Sequence, residues 1–107
     1  MLQGITSQPR MRVSKEDILE TVSEFYDIPK EKVINGGRKR EYVKPRQIVM
    51  FLLRKELKES YPYIGKKLGG KDHTTVIHAV EKIENNKEED ESLNSEISLI
   101  KEQLYNK

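Results

Sequence analysis

Cysteine is absent from this 107-residue chain. That excludes disulfides and thiolate metal sites, and it agrees with a reducing compartment. No apolar run approaches the ~18–20 residues of a membrane-spanning helix, and residues 1–12 do not resemble a signal peptide. Apolar residues are scarce as well, at 35% against 36% charged, so one modest core in one domain is expected. Strand-like alternation is nowhere sustained and no internal repeat occurs. Alanine appears once, at Ala79, where close helix packing is expected.

The net charge of +2 hides an uneven distribution. From Lys30 to Arg54 there are eight basic residues against two acidic ones, and from Glu84 to Lys107 seven acidic residues against three basic ones. Such asymmetry fits a middle segment that meets a polyanion and a tail that does not, or two solvated faces.

Residues 1–13 read as a linker or disordered start and 14–107 as one helical domain. Ser14-x-x-Asp17 forms a capping-box pattern, and Ile18, Leu19, Val22, Phe25 and Tyr26 follow at helical spacing. Pro29 starts a short helix that Asn35-Gly36-Gly37 stops. A basic stretch, Arg38 to Lys44, leads to Pro45, which suits the first position of a long helix running to about Ser60. Pro62 opens a short helix with Ile64 and Leu68 inward. Gly69-Gly70 ends it and Asp72 is placed to cap the next, whose stripe is Val76, Val80 and Ile83. The segment "NNKEEDES" reads as a solvated break before a last helix bearing Leu93, Ile97, Ile100 and Leu104. The expectation is an all-α fold of five or six helices.

The segment "GGKDHTTVIHAVEKI" is open to three chemistries. Gly65 to Lys71 matches the phosphate-loop spacing, but Asp72 stands where a magnesium-binding hydroxyl is needed, and the match begins inside a helix with no strand before it. His73 and His78 are five positions apart and project ~140° apart on a helix, unlike an i, i+4 metal pair. An Asp72–His73 pair has no nucleophile beside it. The third chemistry fits better: a short helix, a glycine turn and a second helix make a helix-turn-helix, whose second helix meets base edges with its first residues. His73 donates to purine acceptors, Asp72 accepts from cytosine, the Thr74 methyl meets a thymine methyl and Thr75 reaches a phosphate. Plainer roles exist for each: an N-cap for Asp72, a surface histidine at 73 and first-turn threonines.

The stretch "GGKDHTTVIHAVEKIE", with "KPRQIVMFLLRKEL" and "SKEDILETVSEFYDIPKEKV" before it, resembles the C-terminal DNA-binding domain of the bacterial replication initiator DnaA, collinearly from Ser14 to about Asn85. The resemblance implies a Trp-repressor-like helix-turn-helix preceded by a basic loop, bound to DnaA-box-like duplex DNA. It places Asp72, His73 and Thr74 at bases in the major groove and Arg38, from the loop, in the neighbouring minor groove. It places Arg46, Gln47, Arg54, Pro62, Lys71 and Thr75 on the phosphate backbone. Lys71 replaces the arginine usual in that family, keeping the charge but losing the fork, and Glu41 adds an acid to the loop.

The full initiator carries an upstream ATPase module, of which this chain has no nucleotide site. The chain is expected to be an excised domain or a stand-alone relative. It is further expected to be cytoplasmic, monomeric and non-enzymatic, without cofactor or metal, with duplex DNA and other replication proteins as partners. The rival expectations are an adaptor that docks a replication protein and the targeting module of a larger DNA-processing enzyme.

Overall fold

A computed structural model describes residues 13–106 as six helices: α1 (Lys15–Tyr26), α2 (Lys30–Asn35), α3 (Arg40–Leu57), α4 (Tyr61–Lys67), α5 (His73–Glu89) and α6 (Glu91–Tyr105). No strand is present among the described residues. The expected linker at 1–12 lies outside them.

The capping box forms as the sequence predicts. Ser14 Oγ accepts from the Asp17 N–H at 3.1 Å, and Asp17 Oδ2 accepts from the Ser14 N–H at 3.0 Å, so two orphan donors of α1 are satisfied. Helix α1 then buries Ile18 and Val22. The long helix α3 occupies the centre of the molecule. Six successive residues, Ile48 to Leu53, are all buried; at ~100° per residue they cover its whole circumference, as a helix packed on all sides requires. It lies chiefly against α1 and α5.

Three boundaries differ from those read in the sequence, each for a local reason. Helix α3 begins at Arg40, not Pro45, because the Lys39 carbonyl takes both the Tyr42 and Val43 N–H groups at 2.9 and 3.0 Å. Pro45 thus lies inside the helix, where its ring removes the N–H that would bond Glu41. The basic loop shrinks accordingly to 36–39, and Glu41 joins the first turn of α3, where the helix dipole favours an acid. Helix α3 ends at Leu57 because Lys58 turns left-handed (φ 60°), leaving Ser60 to cap α4. Helix α5 runs through the expected break to Glu89, since Lys and Glu are good helix formers. Asp90 alone separates it from α6, accepting from the Ser92 and Leu93 N–H groups.

Leu93, Ile97, Ile100 and Leu104 of α6 are all buried, and the helix lies against α1 and α5. At ~1.5–3 kcal/mol per large aliphatic side chain, the stripe contributes roughly 6–12 kcal/mol of gross burial. That has to exceed the entropy of ordering a 15-residue helix. Ala79, 4% exposed, sits where the small side chain was expected to allow close packing.

Candidate nucleic-acid interface

The α4–turn–α5 unit depends on a backbone contact that only glycine admits. Gly65 is buried in α4, and a Cβ there would run into the Lys71 carbonyl. With no Cβ, the turn folds back until the Lys71 N–H donates to the Gly65 carbonyl at 2.8 Å. Gly69 (φ 82°) and Gly70 (φ 72°) supply the left-handed turn. Gly65, the first residue of the false phosphate-loop match, is therefore a packing residue in mid-helix.

The turn delivers Asp72 to the N-cap position of α5, yet its side chain makes no capping bond. Its Oδ1 instead lies 3.5 Å from His73 Nδ1, and both side chains are well exposed, so the contact is too long to be a hydrogen bond. Thr74 and Thr75 are exposed beside them, above the buried Val76. Four polar side chains thus stand at the N-terminus of a 17-residue helix, with the first-turn N–H groups among them. Behind them His78 and Lys82 continue the exposed face. Among the described residues no group of three or more His, Cys, Asp or Glu is arranged to hold a metal.

The loop at 36–39 is held against this unit from two sides. A Cβ on Gly69 would lie 2.7 Å from Asn35 Oδ1 and 2.9 Å from the Ile34 carbonyl, so the end of α2 abuts the glycine turn. From below, Arg46 grips the same segment. Its Nε donates to the Val33 carbonyl at 2.6 Å, one terminal nitrogen to Gly37 at 2.8 Å and the other to Lys32 at 3.3 Å. Arg46 is 5% exposed, and burial pushes its pKa down from the ordinary arginine value. This corrects the expectation that Arg46 contacts phosphate: its guanidinium is spent on the last carbonyls of α2 and on the residue before Arg38. An arginine in a basic run reads as surface charge. Only packing shows that its fork points inward.

Arg38 itself is exposed. It shares with the half-buried Gln47 a cleft of about 420 Å³ between the start of α3 and the second half of α5, whose walls include Arg40, Lys44, Lys82 and Asn86. Asp90 also faces it. Arg40, Lys44 and Lys82 had no assigned role in the sequence reading. The first two stood out only as part of the charge block, and Lys82 as part of the polar face of α5. Arg54 lies elsewhere, at the corner between α3 and α4, donating to the Glu59 carbonyl at 3.0 Å and stacked 4.3 Å from the Tyr61 ring centroid. Pro62 is exposed in the first turn of α4 next to that ring, and Lys71 is half-buried in the turn.

Comparison with known proteins agrees with this arrangement. A family model described as "Bacterial dnaA protein helix-turn-helix" matches residues 15–83. The chain is 39% identical over 103 residues to the chromosomal replication initiator protein DnaA of Thermomicrobium roseum, covering 96% of this chain and 22% of that protein. It is 45% identical over 94 residues to the DnaA of Rhizobium meliloti, covering 88% of this chain and 19% of that protein. A crystal structure of a DNA replication initiation factor superposes with a TM-score of 0.74 at 25% identity, over 95% of this chain and 31% of that one. The chain thus spans about a fifth of the length of its curated relatives. The glycine turn, the exposed tip of α5 and a match over more than half of the residues together show that the chain belongs to the bacterial DnaA helix-turn-helix family.

Proposed function

We propose that this domain binds duplex DNA sequence-specifically at DnaA-box-like sites, in chromosome replication initiation or its regulation. The observation that carries the reading is the uncapped, exposed Asp72-His73-Thr74-Thr75 tip of α5, presented by a glycine turn that also abuts the segment leading to Arg38. In this reading Asp72, His73 and Thr74 meet base edges in the major groove, and Thr75 a phosphate. Arg38 enters the adjoining minor groove, and Gln47, Arg54, Pro62 and Lys71 position the backbone. Arg46 acts as the clamp that sets the Arg38 segment. The cleft beside Arg38, walled by Arg40 and Lys82, lies along the path of one DNA strand.

The test is fluorescence anisotropy of the domain with a DnaA-box duplex and a scrambled duplex over a salt series. About five backbone contacts give an expected log–log slope of roughly −4 to −5 at ~0.9 per contact, with a preference for the box that persists as salt rises. Equal, steeply salt-dependent binding to both duplexes would reduce the domain to a basic patch. Binding to neither would leave the docking of a replication protein as the reading to pursue.

A further inference from the structure

One wall of the cleft is tied to the terminal helix. Lys44 lines the cleft, but its ammonium lies 3.0 Å from Glu96 Oε1 on α6. The same oxygen accepts from the Tyr26 hydroxyl at 2.6 Å, and the Lys44 ammonium sits 5.9 Å from the Tyr26 ring centroid. The other carboxylate oxygen lies 3.5 Å from Ser92 Oγ. Three helices that are remote in sequence, α1, α3 and α6, therefore meet at one carboxylate. Partial burial alone works against ionising Glu96. The hydrogen bonds from Tyr26 and Lys44 outweigh it and hold the acid below its ordinary pKa, so the carboxylate is charged at neutral pH. The Lys44 side chain remains 47% exposed and that of Glu96 25%, so the lysine is accessible to a polyanion yet already paired.

Resting on the DNA-binding reading above, we propose that Glu96 is a positioning residue that holds the Lys44 ammonium in the cleft wall and withholds one positive charge from the DNA backbone. The cleft then presents Arg38, Arg40 and Lys82 to the strand, and Lys44 serves to dock α6. The consequence falls on sequence-independent binding. A backbone contact carries no base information, so one more free cation strengthens attachment to any duplex and adds nothing to recognition.

The experiment compares the wild-type domain with Glu96→Gln, the double variant Glu96→Gln/Lys44→Gln, and Tyr26→Phe, each on box and scrambled duplexes over the same salt series. Glutamine keeps a carbonyl for the Tyr26 hydroxyl but removes the charge. Glu96→Gln is expected to steepen the salt slope by about one unit and to tighten scrambled-duplex binding roughly three- to eight-fold near 0.1 M salt, with the box gaining no more than the scrambled duplex. The double variant should return to the wild-type slope. Tyr26→Phe, which leaves the ion pair, should not change it. An unchanged slope for Glu96→Gln in a protein of unaltered melting temperature would overturn the proposal, as would a flattened slope, which would make Lys44 a phosphate contact that Glu96 merely steadies. Failure of the wild-type domain to prefer the box is a separate result that removes the underlying reading.

Discussion

His73 is the residue whose removal separates reading from folding. Its side chain is 58% exposed and meets only Asp72, at 3.5 Å, so His73→Ala should alter stability by no more than about 0.5 kcal/mol. On the box duplex it should cost ~1–3 kcal/mol and relax base preference. Unchanged discrimination in anisotropy titrations would end the base-reading role. Arg46 behaves in the opposite sense. Arg46→Gln leaves the carbonyls of Lys32, Val33 and Gly37 without their shared donor, at a cost of roughly 1–3 kcal/mol. A lower melting temperature should accompany weaker minor-groove discrimination, while the salt slope stays nearly constant. Arg46→Lys keeps the charge without the fork and should rescue only in part. A slope reduced by a full unit with no change in melting would make Arg46 a phosphate contact after all.

Among the elements, the helix-turn-helix rests on the approach of the turn to α4. Gly65→Ala gains up to about 1 kcal/mol of helix propensity, but its methyl meets the Lys71 carbonyl. Overpacking of this kind costs ~1–3 kcal/mol, and backbone has little room to yield, so the clash should win. The expected outcome is a melting temperature lowered by several degrees and box affinity reduced through displacement of the α5 tip. Helix α6 has its own signature, in alkali. The Tyr105 hydroxyl donates to Glu56 of α3, and burial, then this bond, pushes its pKa from 10 up to about 12. A proton held more tightly in the folded state stabilises below the unfolded value and is lost as pH rises. Stability should therefore fall between pH ~10 and ~12, and Tyr105→Phe should flatten that part of a denaturation-versus-pH profile. An unchanged profile would mean the hydroxyl contact contributes nothing to holding α6.

At the scale of the molecule, a charge-rich chain folds around one central helix and leaves its acids and bases on different surfaces. Leu99 is the one large hydrophobic side chain among the described residues that stands well exposed, at 48%, so the surface available to a polyanion is polar and basic. None of the described helices is long and apolar enough to cross a membrane. The terminal helix, acidic in sequence, does not simply oppose the basic middle. Glu96 pairs with Lys44, Glu56 of α3 pairs with Lys101, and Glu84 of α5 pairs with Lys55, so part of the charge asymmetry is used to close helix against helix. Exposed pairs of this kind contribute little to stability individually. Their effect is on which cations remain for DNA.

The helices themselves were legible in the sequence because each carries its own instructions. The Ser14 and Asp17 box, the Ser60-Tyr61-Pro62 start, the Gly69-Gly70 stop and the 3.6-residue stripes act over a few residues and need no partner. The tip Asp72–Thr75 was legible for the same reason, since a glycine turn before a helix determines what stands first on it. What depends on approach between distant segments was not. That Arg46 faces inward, that Gly65 makes room for Lys71, that Asn35 meets Gly69 and that Lys44 answers to Glu96 are decided only when α2, α3 and α6 close on one another. Charge in a sequence records only the residue type. Packing decides whether that charge faces a carbonyl, a carboxylate or the solvent where DNA would lie.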